Sequence, residues 1–164
     1  MRSTQLAYFA GLLDGEGCIR VKRQRKYWGP KQALDGWQYM LVLYIANTCR
    51  SPLDQACAIF GGSVASQGSF TNKPVYRWSV GQRQAESFLR AVRRYMQIKG
   101  PQADNALAFR KWQSGGRKHK TKVVGERFFP NRYGARMIPN RAYSDAYLAE
   151  CERFFLRSKE LNAA

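Results

Sequence analysis

FAGLLDGEGCI, Phe9 to Ile19, opens like a helix, breaks on glycine and resumes like a strand. Ahead of it, Ser3 or Thr4 can cap a helix running through QLAYFAGLL. Gly15 suits a left-handed stop just after it. Two acids, Asp14 and Glu16, stand at the break, although the 164-residue chain holds only 11 Asp and Glu against 28 Lys and Arg. A helix C-terminus carries partial negative charge, so an acid there costs roughly 0.3–1 kcal/mol. A cation would relieve the conflict, and a carboxylate beside a freed backbone carbonyl suits Mg²⁺ or Ca²⁺. On composition alone, exposed loop acids near cationic side chains are the plainer alternative.

The formal net charge of +17 points to a polyanionic partner, with nucleic acid first. An anionic membrane surface is disfavoured, because the basic residues are spread over strands and loops rather than along one amphipathic helix. Hydrophobic residues make up 45% and aromatics 13%, enough for a real core. The acids that follow the first apolar stretch argue against a signal peptide, so an intracellular protein is expected, of organelle (chloroplast or mitochondrion), bacterial or phage origin. Cys18, Cys49, Cys57 and Cys151 form no CxxC spacing, and His119 is the one histidine. Scattered ligands of this kind do not make a zinc site, and buried free thiols are expected.

Working outward from the break, CIRVKRQRKYW alternates as a strand, with Ile19 and Val21 inward and Arg20, Lys22, Gln24 and Lys26 on the other side. WGPKQALDG reads as a loop, then QYMLVLYIAN as a strand with Tyr39, Leu41, Leu43 and Ile45 on one face. SPLDQACAIFGG is a helix with proline in its first turn. SVASQGSF and VYRWSV are short strands. QRQAESFLRAVRRYMQI and PQADNALAFRKWQ are helices. The basic, Gly- and Pro-containing stretch 114–140 is expected to be a long loop. A helix over about 142–161, capped by Ser144, closes the chain. The result is a single domain over 1–164 with a core of about 3–113. Its class is α+β, with helices on one face of an antiparallel sheet.

FAGLLDGEG resembles the motif that names the LAGLIDADG homing endonucleases. Phe9 stands at the leading Leu. Ala10, Gly11, Asp14 and Gly17 match. Leu12 and Leu13 stand for the aliphatic pair, Gly15 for Ala, and Glu16 for the second acid. The αββαββα order over about residues 3–97 is similar to the family's core, and the later helices resemble the extension of its single-motif algal chloroplast members. The resemblance implies that Glu16 and the Gly15 carbonyl bind the active-site metal, Mg²⁺, with Ca²⁺ binding without supporting cleavage. Asp14 would be a structural acid at the helix end. Asn47, at the end of the second strand, would order water. QIKGPQA is similar to a family stretch that carries an active-site lysine, here Lys99, and Arg50 would lie near the scissile phosphate.

One motif per chain implies a homodimer through the motif helix, with Ala7, Ala10 and Gly11 as its small-residue face. The implied activity is site-specific double-strand DNA cleavage at a long pseudo-palindromic target, by metal-assisted phosphodiester hydrolysis. The sheet would then lie in a major groove, where base edges are distinguishable. Arg20, Lys22, Gln24, Lys26, Gln38, Met40, Tyr44, Gln67, Arg77 and Ser79 have the orientation for it, while Arg117, Lys118, Lys120 and Lys122 would grip phosphates. The rival readings are an intron maturase that binds intron RNA and a catalytically silent DNA-binding protein on the same fold.

Overall fold

The computed structural model describes residues 1–27, 33–68, 73–115, 121–131 and 134–163; for 25–27, 33–36, 121–131 and 134–142 it describes strand and register only. The elements run α1 (Ser3–Glu16), β1 (Gly17–Tyr27), β2 (Ala33–Asn47), α2 (Ser51–Phe60), β3 (Ser63–Ser66), β4 (Tyr76–Gly81) and α3 (Gln82–Val92). A single 3-10 turn at Arg93–Tyr95 is followed by α4 (Gly100–Gly115), β5 (Thr121–Asn131), β6 (Gly134–Tyr143) and α5 (Asp145–Ala163). The four-stranded antiparallel sheet has the order β1-β2-β4-β3.

The period-2 pattern decides the sheet's two faces. Ile19, Val21, Tyr39, Leu41, Leu43, Ile45, Trp78 and Val80 are all buried toward the helices. Phe88 of α3 is the centre of that core. Its ring meets Phe60, Trp78 and Phe9 edge-on at centroid distances of 4.9, 5.0 and 6.4 Å, the arrangement the ring quadrupole favours.

α1 differs from its expected form at both ends. It begins at Ser3, after Arg2, and no side chain caps it. It runs through Gly15 and Glu16 and stops at Gly17, whose φ of −102° is extended rather than left-handed. The reason lies at Gly17. A Cβ there would come within 2.7 Å of the Leu13 carbonyl oxygen and would also overlap the Leu13 side chain. Only glycine lets β1 leave the helix this closely. Gly17→Ala is expected to cost about 1–3 kcal/mol by overpacking, measured as a fall in the urea unfolding midpoint with an unchanged slope.

Where it is described, the stretch 114–140 is the end of a helix and two strands rather than a long loop. Ser114 and Gly115 finish α4, and β5 and β6 form an antiparallel hairpin from Thr121↔Tyr143 to Asn131↔Gly134, with an irregularity between Val123 and Gly125. Its β-branched and aromatic residues favour strands. Its prolines, at the Glu126↔Pro139 and Pro130↔Ala135 pairs, are tolerated because a two-stranded ribbon has two edges and no central strand.

α5 packs on α4 and on the long β1–β2 ribbon. Ser144 caps it by accepting the Tyr147 N–H at 3.3 Å. Its far end covers the open edge of β1: Ser158 Oγ accepts the Val21 N–H at 3.1 Å, and Asn162 Nδ2 donates to the Ile19 carbonyl at 3.1 Å. An edge strand with unpaired backbone groups invites pairing with other chains, and this cover removes part of that edge. All four cysteines are free, but only Cys151 is fully buried; Cys49 is exposed, because it lies in the turn that follows β2. No helix among the described residues is long and apolar enough to cross a membrane.

Candidate nucleic-acid interface and cleavage site

The break after α1 places one end of the sheet beside one helix end. Gly17 pairs with Ile45 across β1–β2, so Glu16 and Asn47 flank the same sheet end. Asn47 pairs with Tyr76 of β4, and the Arg50 guanidinium lies 5.7 Å from the Tyr76 ring. Lys99 arrives from the other side of the sequence, where its Nζ donates to the carbonyls of Leu13 (3.2 Å) and Asp14. The fold thus gathers Glu16, Asn47, Arg50 and Lys99 at one end of the sheet.

Each makes a different use of its position. Glu16 and Gly15 are exposed in the last turn of α1. The Leu13 and Asp14 carbonyls are taken, by the Gly17 N–H and by Lys99. Among the described residues no hydrogen bond reaches the Glu16 carboxylate. Asn47 Oδ1 accepts the Cys49 N–H at 2.8 Å, which closes an Asx turn and leaves Nδ2 as the free donor among the described residues. Arg50 is exposed and shares its Nε with both Asp54 oxygens at 3.1–3.2 Å, an i,i+4 pair at the start of α2.

Asp14 faces inward, only 7% exposed. Its carboxylate accepts the backbone N–H groups of Gln97 (2.6 Å), Ile98 (3.2 Å) and Lys99 (2.8 Å). Burial alone would raise its pKa, but these bonds and the Lys99 charge outweigh burial and hold it below the usual carboxylate value. The acid that conflicts with the dipole of its own helix ties down the segment carrying Lys99. Nothing local in the sequence signals these bonds, which span 83 to 85 residues.

Ala7 and Gly11 are exposed on α1, with Tyr8 beside them, and a Cβ on Gly11 or Gly15 would meet no atom within 4 Å. Ala10, grouped with them from the sequence, is instead fully buried with Phe9 and Leu13. At 100° per residue it lies on the same stripe as those two, one turn from Leu6, and a second copy cannot reach it.

The sheet face away from the helices carries Arg20, Lys22 and Gln24 on β1, Gln38, Met40 and Tyr44 on β2, and Arg77 and Ser79 on β4. Among the described residues this face holds no carboxylate. Gln67 follows the last residue of β3 and is exposed; its backbone N–H bonds Val75 O at 2.8 Å. Lys26 and Lys122 lie in β1 and β5, whose side chains there are not described, and Arg117, Lys118, His119 and Lys120 lie outside the described residues. Arg23 shares the parity of Val21 and points the other way. It pairs with Glu152 of α5 at 2.8 Å and stacks on Trp37 and Phe155 at 4.5 and 4.8 Å. Tyr39 donates to the other Glu152 oxygen, and burial together with that carboxylate pushes its hydroxyl pKa well up. This cluster fastens α5 to the ribbon, and it was not readable from the basic run KRQRK.

No protein-family model and no curated protein sequence matches the chain. The similarity is to solved structures. The homing endonuclease I-CvuI, in complex with DNA targets in the presence of 2 mM Mg (DNA not cleaved) or 2 mM Ca, superposes with a TM-score of 0.65 at 16% and 18% identity. The match covers 96% of this chain and 82% of that one. The archaeal intron-encoded homing endonuclease I-Vdi141I, complexed with DNA, superposes with a TM-score of 0.52 at 18% identity over 69% of this chain and 70% of that one. A LAGLIDADG homing endonuclease in complex with its DNA target, I-GzeII, gives 0.51 at 16% identity over 66% of this chain and 36% of that one. The α+β architecture described above, with α1 leading into an antiparallel sheet, is the LAGLIDADG homing-endonuclease fold.

Proposed function

We propose that this chain is a site-specific double-strand DNA endonuclease that works as a homodimer on a long pseudo-palindromic target. The observation that carries the reading is the meeting of Glu16, Asn47, Arg50 and Lys99 at one end of a sheet whose outer face is cationic.

The donor set suits a hard cation. An exposed carboxylate and one last-turn carbonyl, that of Gly15, are oxygen ligands at the negative end of a helix dipole. Glu16 and the Gly15 carbonyl would hold Mg²⁺, and Ca²⁺ would occupy the same ligands without supporting cleavage. On this reading the site is completed by a second copy. When bound, the cation supplies charge neutralisation at the scissile phosphate. Lys99 places an ammonium beside the same helix end, Asn47 Nδ2 orients a water, and Arg50 offers a phosphate contact. Two copies meeting along the exposed Ala7–Gly11 face would form an isologous interface and bring two Glu16 carboxylates together. Each sheet then lies in a major groove, where Arg and Lys suit guanine and Gln suits adenine.

The test is incubation with a library of randomised duplexes and Mg²⁺, with the mass read by sedimentation. The expected result is cleavage of both strands at one near-palindromic site by a species of twice the chain mass. Tight duplex binding without cleavage would sink the enzyme reading and turn attention to intron RNA.

A further inference from the structure

Several described arginines of this chain are held by acids, among them Arg23, Arg50, Arg90, Arg93 and Arg110, each paired with a carboxylate at 2.6–3.3 Å. Arg20 and Arg77 are different. Among the described residues neither forms a hydrogen bond or an ion pair, and Arg77 Nε is buried without a partner. What both do have is Tyr44. The guanidinium carbon of Arg77 lies 4.7 Å from the Tyr44 ring centroid, and that of Arg20 lies 5.6 Å from it.

The register explains how one ring serves two strands. Tyr44 pairs with Cys18 on one side and Ser79 on the other, whereas Arg20 pairs with Val42 and Arg77 with Ala46. The two arginines are therefore diagonal neighbours of Tyr44 in opposite directions along β2. Diagonal cross-strand neighbours are within reach of long side chains. The cross-strand positions around them are small: Val42 and Gly81 in the row of Arg20, Ala46 and Ala65 in the row of Arg77. Tyr44 is the one large ring standing between them. The neighbouring Cys18 thiol and partial burial push its hydroxyl pKa up. A guanidinium stacked on a ring keeps its N–H edge free while its torsions are already ordered.

We propose that Tyr44 is a positioning residue that holds Arg20 and Arg77 as a paired reader of guanine edges. The inference rests on the DNA-binding reading above. Bidentate contact with guanine O6 and N7 is the favoured use of a free arginine in the major groove. The paired positions on β2 are four residues apart, and both side chains lean toward Tyr44. The target of each subunit should therefore carry two guanines about two to four base pairs apart.

The experiment selects bound duplexes from a randomised library with the full chain and with Arg20→Ala, Arg77→Ala, Tyr44→Ala and Tyr44→Phe. The parent is expected to prefer guanine at two positions per half-site. Arg20→Ala should lose one preference and Arg77→Ala the other. Tyr44→Ala should weaken both by about tenfold, and Tyr44→Phe, which keeps the ring face, should retain both. If Tyr44→Ala melts lower than the parent, Tyr44→Leu supplies bulk without a π face and should weaken both positions equally. A sequence-specific parent whose profile survives Tyr44→Ala or Tyr44→Leu overturns the assignment of Tyr44, as does loss of both preferences in Tyr44→Phe. A parent that binds no duplex overturns the endonuclease reading itself.

Discussion

Glu16→Gln is expected to lower double-strand cleavage by about a thousandfold or more while leaving duplex affinity close to that of the parent. The substitution keeps the shape of the side chain and removes its charge. Among the described residues at the sheet end where Asn47, Arg50 and Lys99 meet, Asp54 is paired with Arg50, whereas the exposed Glu16 carboxylate has no ion-pair partner. On the proposed reading, a hard cation held there would lose its anionic ligand, and the charge stabilisation a bound metal gives a phosphodiester transition state is worth several kcal/mol. Affinity should survive because most contacts of a DNA-binding protein go to phosphates and base edges spread over its surface, which the proposed function assigns to the outer sheet face. The measurement is single-turnover cleavage beside a binding titration at one stated salt concentration. Parallel losses in both would show that Glu16 serves folding or binding instead. Unchanged cleavage would remove it from the reaction.

The second large effect is on stability. Asp14→Ala should destabilise the chain by about 2–4 kcal/mol, a large share of the 5–15 kcal/mol typical of a domain. Three backbone N–H groups lose a charged acceptor at once. Gln97 and Ile98 are exposed, so water can recover part of the loss there. Asp14→Asn retains a carbonyl acceptor and should cost less. The pH dependence separates the charge from the packing. Asp14 titrates lower in the folded chain than its ordinary value of 3.8, so below that value the unfolded chain takes up the proton first. The stability that Asp14 contributes is present above about pH 4 and is lost as the pH falls through its folded-state value. The gap between parent and Asp14→Asn should therefore close on acidification. Glu86 and Asp104, held low by Arg90 with Arg110 and by Arg93, titrate in the same direction and persist in both proteins. A gap that stays constant with pH would assign the loss to shape alone. Because the same carboxylate ties down residues 97–99, cleavage by Asp14→Ala should fall as well, through a misplaced Lys99.

Several features of this chain are fixed by local chemistry and are legible from end to end. Strand parity is one, since a period of two assigns Ile19, Val21, Leu41, Leu43, Ile45, Trp78 and Val80 to the covered face without knowledge of any partner. Element order through the first 97 residues is another, because Gly61 and Gly62 at φ +78° and +92° end α2 as only glycine readily can, and Pro52 opens it. The motif from Phe9 to Gly17 carries the resemblance to a fold that superposition then shows.

Tertiary structure alone decided the rest, for one physical reason: the deciding partner lies far along the chain. Ala10 and Ala7 are equally small, and only the direction of the core separates them. Arg23 sits in the same basic run as Lys22, yet Glu152, 129 residues away, turns it into a fastening for α5. The hairpin at 121–143 hid behind glycines and prolines, which read as loop until each strand supplies the other's hydrogen bonds. Asp14 and Glu16, two residues apart and alike in charge, part company for the same reason. The backbone of residues 97–99 satisfies one, and the other is left exposed to solvent.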